Sequence, residues 1–134
     1  MVIDTSAIFA AISGEGDGAL YRRAVKEAPV SFISAVTLLE AKIVLFARLG
    51  PDAVAALGDL LEEAAITVVP FDEEQAEAAL AAFRRFGKGQ GHRAQLNILD
   101  CAAYALSHLR GLPLLFKGGD FALTDLVPAL PRGN

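Results

Sequence analysis

Short apolar runs rich in β-branched residues alternate along this chain with longer helical stretches. The short runs begin with Val2-Ile3 and continue at residues 30–33, 66–69 and 114–116. The stretches between them are long enough for helices, roughly 10 to 16 residues each. Strands that alternate with helices favour a parallel sheet covered on both faces, because each parallel pair needs a crossover connection. The pattern predicts an α/β fold.

Capping residues, glycines and prolines set the predicted helix boundaries. The helices are expected at about 6–12, 18–27, 34–48, 52–64, 72–86 and 94–110. Ser34 and Asp72 are of the residue types that accept hydrogen bonds at a helix start. Gly50-Pro51 ends the third helix, and Gly111 ends the last one. The segment 87–92 is predicted to be a flexible, glycine-rich loop.

Size and composition indicate a single domain. The 134 residues fit one domain, which we expect to span residues 1–134. The apolar content of 54% fits a filled core and leaves some apolar surface for a partner. The lone cysteine, Cys101, lies in an apolar stretch and is expected to be a buried thiol. Since no apolar run reaches the roughly 18 to 20 residues of a membrane-spanning helix, we expect a cytoplasmic protein.

Four carboxylates that lie far apart in the sequence each sit inside or at the edge of an apolar run. They are Asp4, Glu40, Asp100 and Asp120. An isolated buried carboxylate is costly, so each needs a cation, a hydrogen-bond donor or a proton. If the four converge, their mutual repulsion calls for a divalent cation. The pattern therefore predicts a metal-dependent enzyme.

Three of these acids also have simpler explanations. Asp4 and Asp120 each precede a short helical segment, where aspartate is a good cap, and capping is compatible with metal binding. Glu40 lies on the apolar face of its helix. The simpler explanation for Glu40 is a partly exposed ion pair with a lysine such as Lys42. Lys42, however, is two residues away on the helix and therefore points to a different face. The geometry favours a functional role for Glu40.

Asp100 is expected in the middle of the last helix, with apolar residues on nearly every side. A helix that is apolar all round is buried, so a mid-helix aspartate needs a partner. The alternative to metal binding is a hydrogen bond within the core, to which Asn97 or Tyr104 could contribute.

Positive charge is concentrated in one short segment of this acidic chain, whose net charge is −4. The residues are Arg84, Arg85, Lys88, His92 and Arg93. A basic patch beside an acidic metal site suits a polyanion such as RNA. The alternative is an ordinary helix end at which cations complement the helix dipole.

The motifs in this chain resemble, in order and over nearly its whole length, those of the PIN-domain ribonucleases, specifically the VapC toxins of bacterial toxin–antitoxin pairs. The segments that carry the resemblance are 1–7, 34–40, 87–89 with 96–101, and 114–121. The resemblance implies a three-layer α/β/α sandwich around a central parallel sheet. It also implies endoribonuclease activity.

The same resemblance implies a cofactor, a site and partners. Mg²⁺ or Mn²⁺ would be held by Asp4 and Asp100 as principal ligands, completed by Glu40 and Asp120. Thr5 or Ser6 would orient a ligand or contact phosphate. A cognate VapB-like antitoxin would neutralise the activity, and the protein would form a homodimer and a toxin–antitoxin hetero-oligomer.

Two other interpretations remain open at this stage. Similar toxins often carry two successive acids where this chain has Gly119-Asp120, so a catalytically inactive RNA- or protein-binding PIN-like module is one alternative. The other is a receiver domain in which Asp72 accepts a phosphoryl group and Lys117 assists. That alternative leaves Glu40 and Asp100 without a role.

Overall fold

The computed structural model describes residues 1–131. Residues 132–134, the end of the predicted domain 1–134, lie outside this part, and the domain boundary stays a prediction. The strands are β1 (Val2–Ile3), β2 (Phe32–Ser34), β3 (Thr67–Val69) and β4 (Leu114–Leu115). The helices are α1 (Thr5–Ser13), α2 (Gly18–Glu27), α3 (Ala35–Leu49), α4 (Pro51–Glu63), α5 (Glu73–Phe86) and α6 (Ile98–Arg110), with a 3-10 helix at Phe121–Leu123.

The four strands form one parallel sheet in the order β3-β2-β1-β4. The two residues of β1, Val2 and Ile3, point to opposite faces of the sheet, as the pleat of a strand requires. Ile3 packs into a core with Ile8 and Leu45, whereas Val2 packs into a second core with Leu106. Helices therefore bury apolar side chains on both faces of the sheet. The predicted α/β fold with a central parallel sheet is confirmed.

Several predicted helix starts and the buried thiol are confirmed. Ser34 Oγ accepts from the Val36 N–H at 3.3 Å at the start of α3. Asp72 Oδ1 accepts from the Gln75 N–H at 2.9 Å at the start of α5. Cys101 is buried, as its apolar surroundings predict. Within residues 1–131, no helix combines the length and apolar character that crossing a membrane requires.

The predicted start of the last helix is wrong. Helix α6 begins at Ile98, because Asn97 and Asp100 form a capping box. The Asp100 N–H donates to Asn97 Oδ1 at 2.8 Å, and Asp100 Oδ2 accepts from the Asn97 N–H at 3.0 Å. The apolar residues before it are not helical: Ala94 lies in a turn, and Leu96 forms a parallel bridge with Gly87. Asp100 therefore lies in the first turn of α6 rather than at mid-helix.

Candidate active site

A cavity opens at the edge of the sheet where β1, β2 and β4 end. Because parallel strands end at the same edge, the residues that follow them meet there. The cavity has a volume of about 490 Å³. The residues that line it are Asp4, Thr5, Ser6, Phe9, Ala10, Ser13, Glu15, Glu40, Val44, Arg48, Asp100 and Lys117. Three of the four predicted acids thus share one cavity.

Asp4 is the most deeply placed of these acids, with 5% of its surface exposed. It follows β1 directly and caps α1, as expected. Its Oδ2 accepts from the Ser6 N–H at 3.0 Å and from the Ser6 hydroxyl at 2.7 Å. Burial raises the pKa of Asp4, and the hydrogen bonds from Ser6 lower it in part. Capping and a place in the cavity coexist in this residue.

Glu40 projects into the cavity from the second turn of α3. The Thr5 hydroxyl donates to Glu40 Oε1 at 2.5 Å and so fixes the carboxylate against β1 and α1. Burial raises the pKa of Glu40, the bond from Thr5 lowers it, and the charge of Asp4 raises it again. Lys42 forms no ion pair within residues 1–131. The alternative surface pair between Glu40 and Lys42 is therefore wrong.

Asp100 reaches the cavity from the first turn of α6. Its pKa is raised to about 6: burial is the largest cause, the hydrogen bond from Asn97 opposes it, and the charges of Asp4, Asp120 and Glu40 add to it. The Tyr104 hydroxyl does not serve Asp100, since it donates to Asp125 Oδ1 at 2.5 Å. The hydrogen-bond partner of Asp100 is thus Asn97. The charges of the other three acids are all close enough to act on the Asp100 carboxylate.

Asp120 stands apart from the other three acids. Its side chain is exposed, and Asp120 is absent from the residues that line the cavity. Its predicted capping role is wrong, because it begins only a 3-10 helix and accepts no capping hydrogen bond. Asp120 acts on the cavity through its charge, which raises the pKa of Asp100.

Ser6 links the end of β4 to the deepest acid. Its hydroxyl oxygen accepts from the Lys117 N–H at 2.9 Å while it donates to Asp4. Lys117 in turn places Nζ 2.7 Å from Asp17 Oδ1 in the loop before α2. These contacts hold the segment after β4 against α1.

Arg48 and Lys117 line the cavity, although sequence reasoning did not assign Arg48 a role and considered Lys117 only for a receiver domain. The signal for Arg48 is its spacing: Glu40, Val44 and Arg48 are four residues apart and share one face of α3. The signal for Lys117 is its position directly after an apolar strand, at the edge where ligands bind.

The predicted basic run is not part of the cavity wall. None of its five members is among the residues that line the cavity. Arg85 pairs with Asp125 at 3.2 Å and lies over the Phe86 ring, 4.5 Å from its centre. His92 Nδ1 accepts from the Ala94 N–H at 3.0 Å. Arg84, Lys88 and Arg93 are exposed.

The carboxylates fit a hard divalent cation by their chemistry. Carboxylate oxygens are the ligands that Mg²⁺ prefers, and their raised pKa values reflect buried negative charge that a cation would stabilise. Within residues 1–131, no group of three or more acid, histidine or cysteine side chains is arranged so that it could hold a metal ion. Mg²⁺ tolerates this, because it keeps several waters and is commonly bound by one or two carboxylates.

Known proteins resemble this chain in both sequence and fold. The family model described as "PIN domain" matches residues 1–126. Ribonuclease VapC28 of Mycobacterium tuberculosis is 46% identical over 132 residues, which cover 98% of this chain and 99% of that protein. The crystal structure of M. tuberculosis VapC20, described as a sarcin-ricin loop cleaving toxin, superposes with a TM-score of 0.79 at 21% identity, covering 97% of this chain and 98% of that one.

A second solved structure, a toxin-antitoxin complex from Klebsiella pneumoniae, superposes with a TM-score of 0.66 at 18% identity and covers 90% of this chain and 89% of that one. The fold and the acidic edge of the sheet define a PIN domain. Within that class, the chain belongs to the VapC ribonucleases, endoribonucleases that are the toxins of toxin–antitoxin pairs. This excludes the receiver-domain alternative, and Asp72 serves as the cap of α5.

Proposed function

We propose that this chain hydrolyses RNA phosphodiester bonds with Mg²⁺ or Mn²⁺ held by Asp4 and Asp100, and with Glu40 and Asp120 completing the site. The observation that carries the proposal is the meeting of Asp4, Glu40 and Asp100, from three separate elements, in one cavity. Their raised pKa values support it, because uncompensated buried carboxylates destabilise the free protein and are retained where chemistry needs them.

The protein's own groups set the positions of these acids. Ser6 holds Asp4 through two hydrogen bonds, and Thr5 holds Glu40 through its hydroxyl. The capping box fixes Asp100 on the first turn of α6. When bound, a divalent cation would polarise the phosphate and lower the pKa of a water molecule. Asp120, at the exposed rim, would complete the site through water rather than by direct contact.

The predicted basic run contributes to the proposal as a distal RNA contact. Arg84, Lys88 and Arg93 are exposed and bear charges that can attract phosphates. Since they lie away from the cavity lining, they would hold RNA outside the reacting segment. Arg85 is partly neutralised by Asp125 and would contribute least.

A VapB-like antitoxin is the proposed partner, in a toxin–antitoxin hetero-oligomer built on a homodimer of this chain in the cytoplasm. The solved Klebsiella complex belongs to the same structural class, which supports an antitoxin as partner. The acidic cavity suits an inserted arginine, whose planar donors pair with carboxylates. A protein encoded next to this chain that neither binds it nor inhibits cleavage would contradict the proposal.

Cleavage of total cellular RNA tests the activity. Purified protein is incubated with RNA and Mg²⁺ or Mn²⁺, in parallel with EDTA and with the Asp4→Asn variant. We expect metal-dependent fragments that are absent from both controls. RNA binding without cleavage by the unaltered protein would instead favour the inactive PIN-like module.

A further inference from the structure

The cavity combines acids that repel RNA with two cations at its rim. Asp4, Glu15, Glu40 and Asp100 carry negative charge, and within residues 1–131 the lining cations that oppose it are Arg48 and Lys117. A nucleic acid that delivers one phosphate to the carboxylates must bring its neighbouring phosphates close as well. Those phosphates need a positive partner that the acids have not already neutralised.

The two rim cations differ in their availability. Lys117 Nζ lies 2.7 Å from Asp17 Oδ1, so its charge is already paired. Arg48 has no ion pair or side-chain hydrogen bond within residues 1–131, although the cavity contains several carboxylates. Its guanidinium carbon lies 5.3 Å from the centre of the Phe9 ring. An aromatic face holds a guanidinium in place and leaves its N–H donors free.

The spacing along α3 separates Arg48 from the reacting centre. Glu40, Val44 and Arg48 all line the cavity. Eight residues of α-helix correspond to a rise of about 12 Å. Arg48 is therefore on the same wall as Glu40 but two turns further along, at the outer part of the cavity. A phosphate bound there would be a neighbour of the phosphate that reacts.

We propose that Arg48, steadied by Phe9, binds an RNA phosphate adjacent to the one that is cleaved. The inference rests on the proposed function, because it assigns a substrate contact to the same cavity. The basic run would contact RNA outside the cavity, and Arg48 would contact it within the cavity. Arginine suits this role, since its planar fork can donate two parallel hydrogen bonds to one phosphate.

The test is RNA binding by the Asp100→Asn protein, which keeps the substrate uncleaved, and by the metal-free protein in EDTA. A fluorescein-labelled, uridine-rich single-stranded RNA is titrated by fluorescence anisotropy across a range of salt concentrations. We make the substitutions Arg48→Gln, Arg48→Lys and Arg23→Gln in the Asp100→Asn protein and in the otherwise unaltered protein, which is measured in EDTA. Arg23 is an exposed α2 residue outside the cavity lining, so it controls for the change in net charge.

We expect Arg48→Gln to weaken RNA binding about tenfold, the effect of losing one charged hydrogen-bonded contact. The slope of log K against log salt concentration should shrink by about 0.7, the value for one phosphate of a single strand. Arg48→Lys should keep the slope and lose part of the affinity, because it keeps the charge without the fork. Arg23→Gln should change neither.

Equal affinity and equal salt slope for Arg48→Gln and Arg23→Gln would overturn the inference, as would a lack of RNA binding by the protein with Arg48 intact. In the active protein, Arg48→Gln should raise KM and leave kcat and the melting temperature nearly unchanged. The two proposals fail separately. Cleavage by Asp100→Asn would refute the proposed site, whereas an inactive Asp100→Asn with an unaltered KM for Arg48→Gln would refute only the role of Arg48.

Discussion

The acidic cavity and an apolar groove on the same molecule both include residues of α3 and α6, yet they have opposite chemistry. We call apolar groove the depression of about 570 Å³ lined by Val36, Phe71, Ala76, Ala79, Leu80, Phe83, Ile98, Leu99, Cys101 and Ala102. On α6, Asp100 faces the cavity, while Ile98 and Cys101 line the groove.

This difference shows how a short stretch of helix can serve chemistry and packing together. Apolar neighbours desolvate the first turn of α6, and burial is the largest cause of the raised pKa of Asp100. The same burial, followed by the charge of Asp100, raises the pKa of the Cys101 thiol to about 11 and leaves it unreactive. Cavity residues should therefore control activity at a cost in stability, and exposed groove residues should control neither in the isolated chain.

The largest effect should come from removing a carboxylate of the cavity. Asp100→Asn keeps the capping box, because the amide oxygen still accepts from the Asn97 N–H. It removes a charge that the proposed cation needs. We expect RNA cleavage to fall by at least about a hundredfold, in line with the loss of a central electrostatic group. Initial rates under saturating Mg²⁺ measure it, and wild-type rates would remove Asp100 from the site.

Removing a group that orients an acid should have a smaller effect. Thr5→Val eliminates the hydroxyl that bonds to Glu40 and keeps a side chain of similar shape. We expect activity or metal affinity to fall about 10- to 100-fold, as for partners that hold metal ligands. Thr5→Ser, which keeps a hydroxyl, is the matched control. Equal losses for both variants would show that packing of Thr5 matters rather than its hydrogen bond.

Removing the Asp100 charge should stabilise the metal-free protein although it lowers activity. In the folded protein Asp100 has a pKa of about 6, against an ordinary value of 3.8. Above pH 6 its ionised form destabilises the metal-free fold; as the pH falls through 6 towards 3.8, the folded state takes up a proton and gains stability relative to the unfolded state. Below 3.8 this contribution is complete.

We therefore expect metal-free Asp100→Asn to melt a few degrees above the wild type at pH 7. The advantage should shrink as the pH falls from 6 to about 4. Thermal melts in EDTA across this range measure it. A variant that melts below the wild type at pH 7 would contradict the claim that ionised Asp100 destabilises the metal-free fold.

The smallest effect should come from the groove side of the same turn. Ile98 is 79% exposed although it is only two residues from Asp100. Ile98→Ser should change the free energy of unfolding by less than about 0.5 kcal/mol, as is usual for exposed positions, and should leave cleavage unchanged. Urea denaturation and RNA cleavage of the isolated chain check both. A loss of activity comparable to that of Asp100→Asn would break the contrast between the two sides.

Much of the fold follows from local sequence. Apolar strand runs and capping residues such as Ser34 and Asp72 act through neighbours a few positions away, so their pattern is visible in the chain. The start of α6 was missed because Ala94 and Leu96 are apolar for a different reason. Both are buried in the segment before the helix, where Ala94 lies in a turn and Leu96 bridges to Gly87.

The site was predictable where burial and charge conflict in the sequence. Asp4 and Glu40 are acids among apolar neighbours, and both line the cavity. Arg48 gave no such signal, because an arginine in the last turn of a helix is ordinary. Its place beside Phe9 depends on how α1 packs against α3, which is a tertiary contact. The position of Asp120 outside the cavity likewise depends on the path of the chain after β4.

The central claim is that the carboxylates of this cavity bind the divalent cation that RNA cleavage requires. Titration of Mn²⁺ into the wild type and into an Asp4→Asn/Asp100→Asn double variant, followed by isothermal calorimetry, tests it without any RNA. We expect binding by the wild type and none by the double variant, whose fold is verified by circular dichroism. Equal Mn²⁺ affinity in the two proteins would contradict the claim.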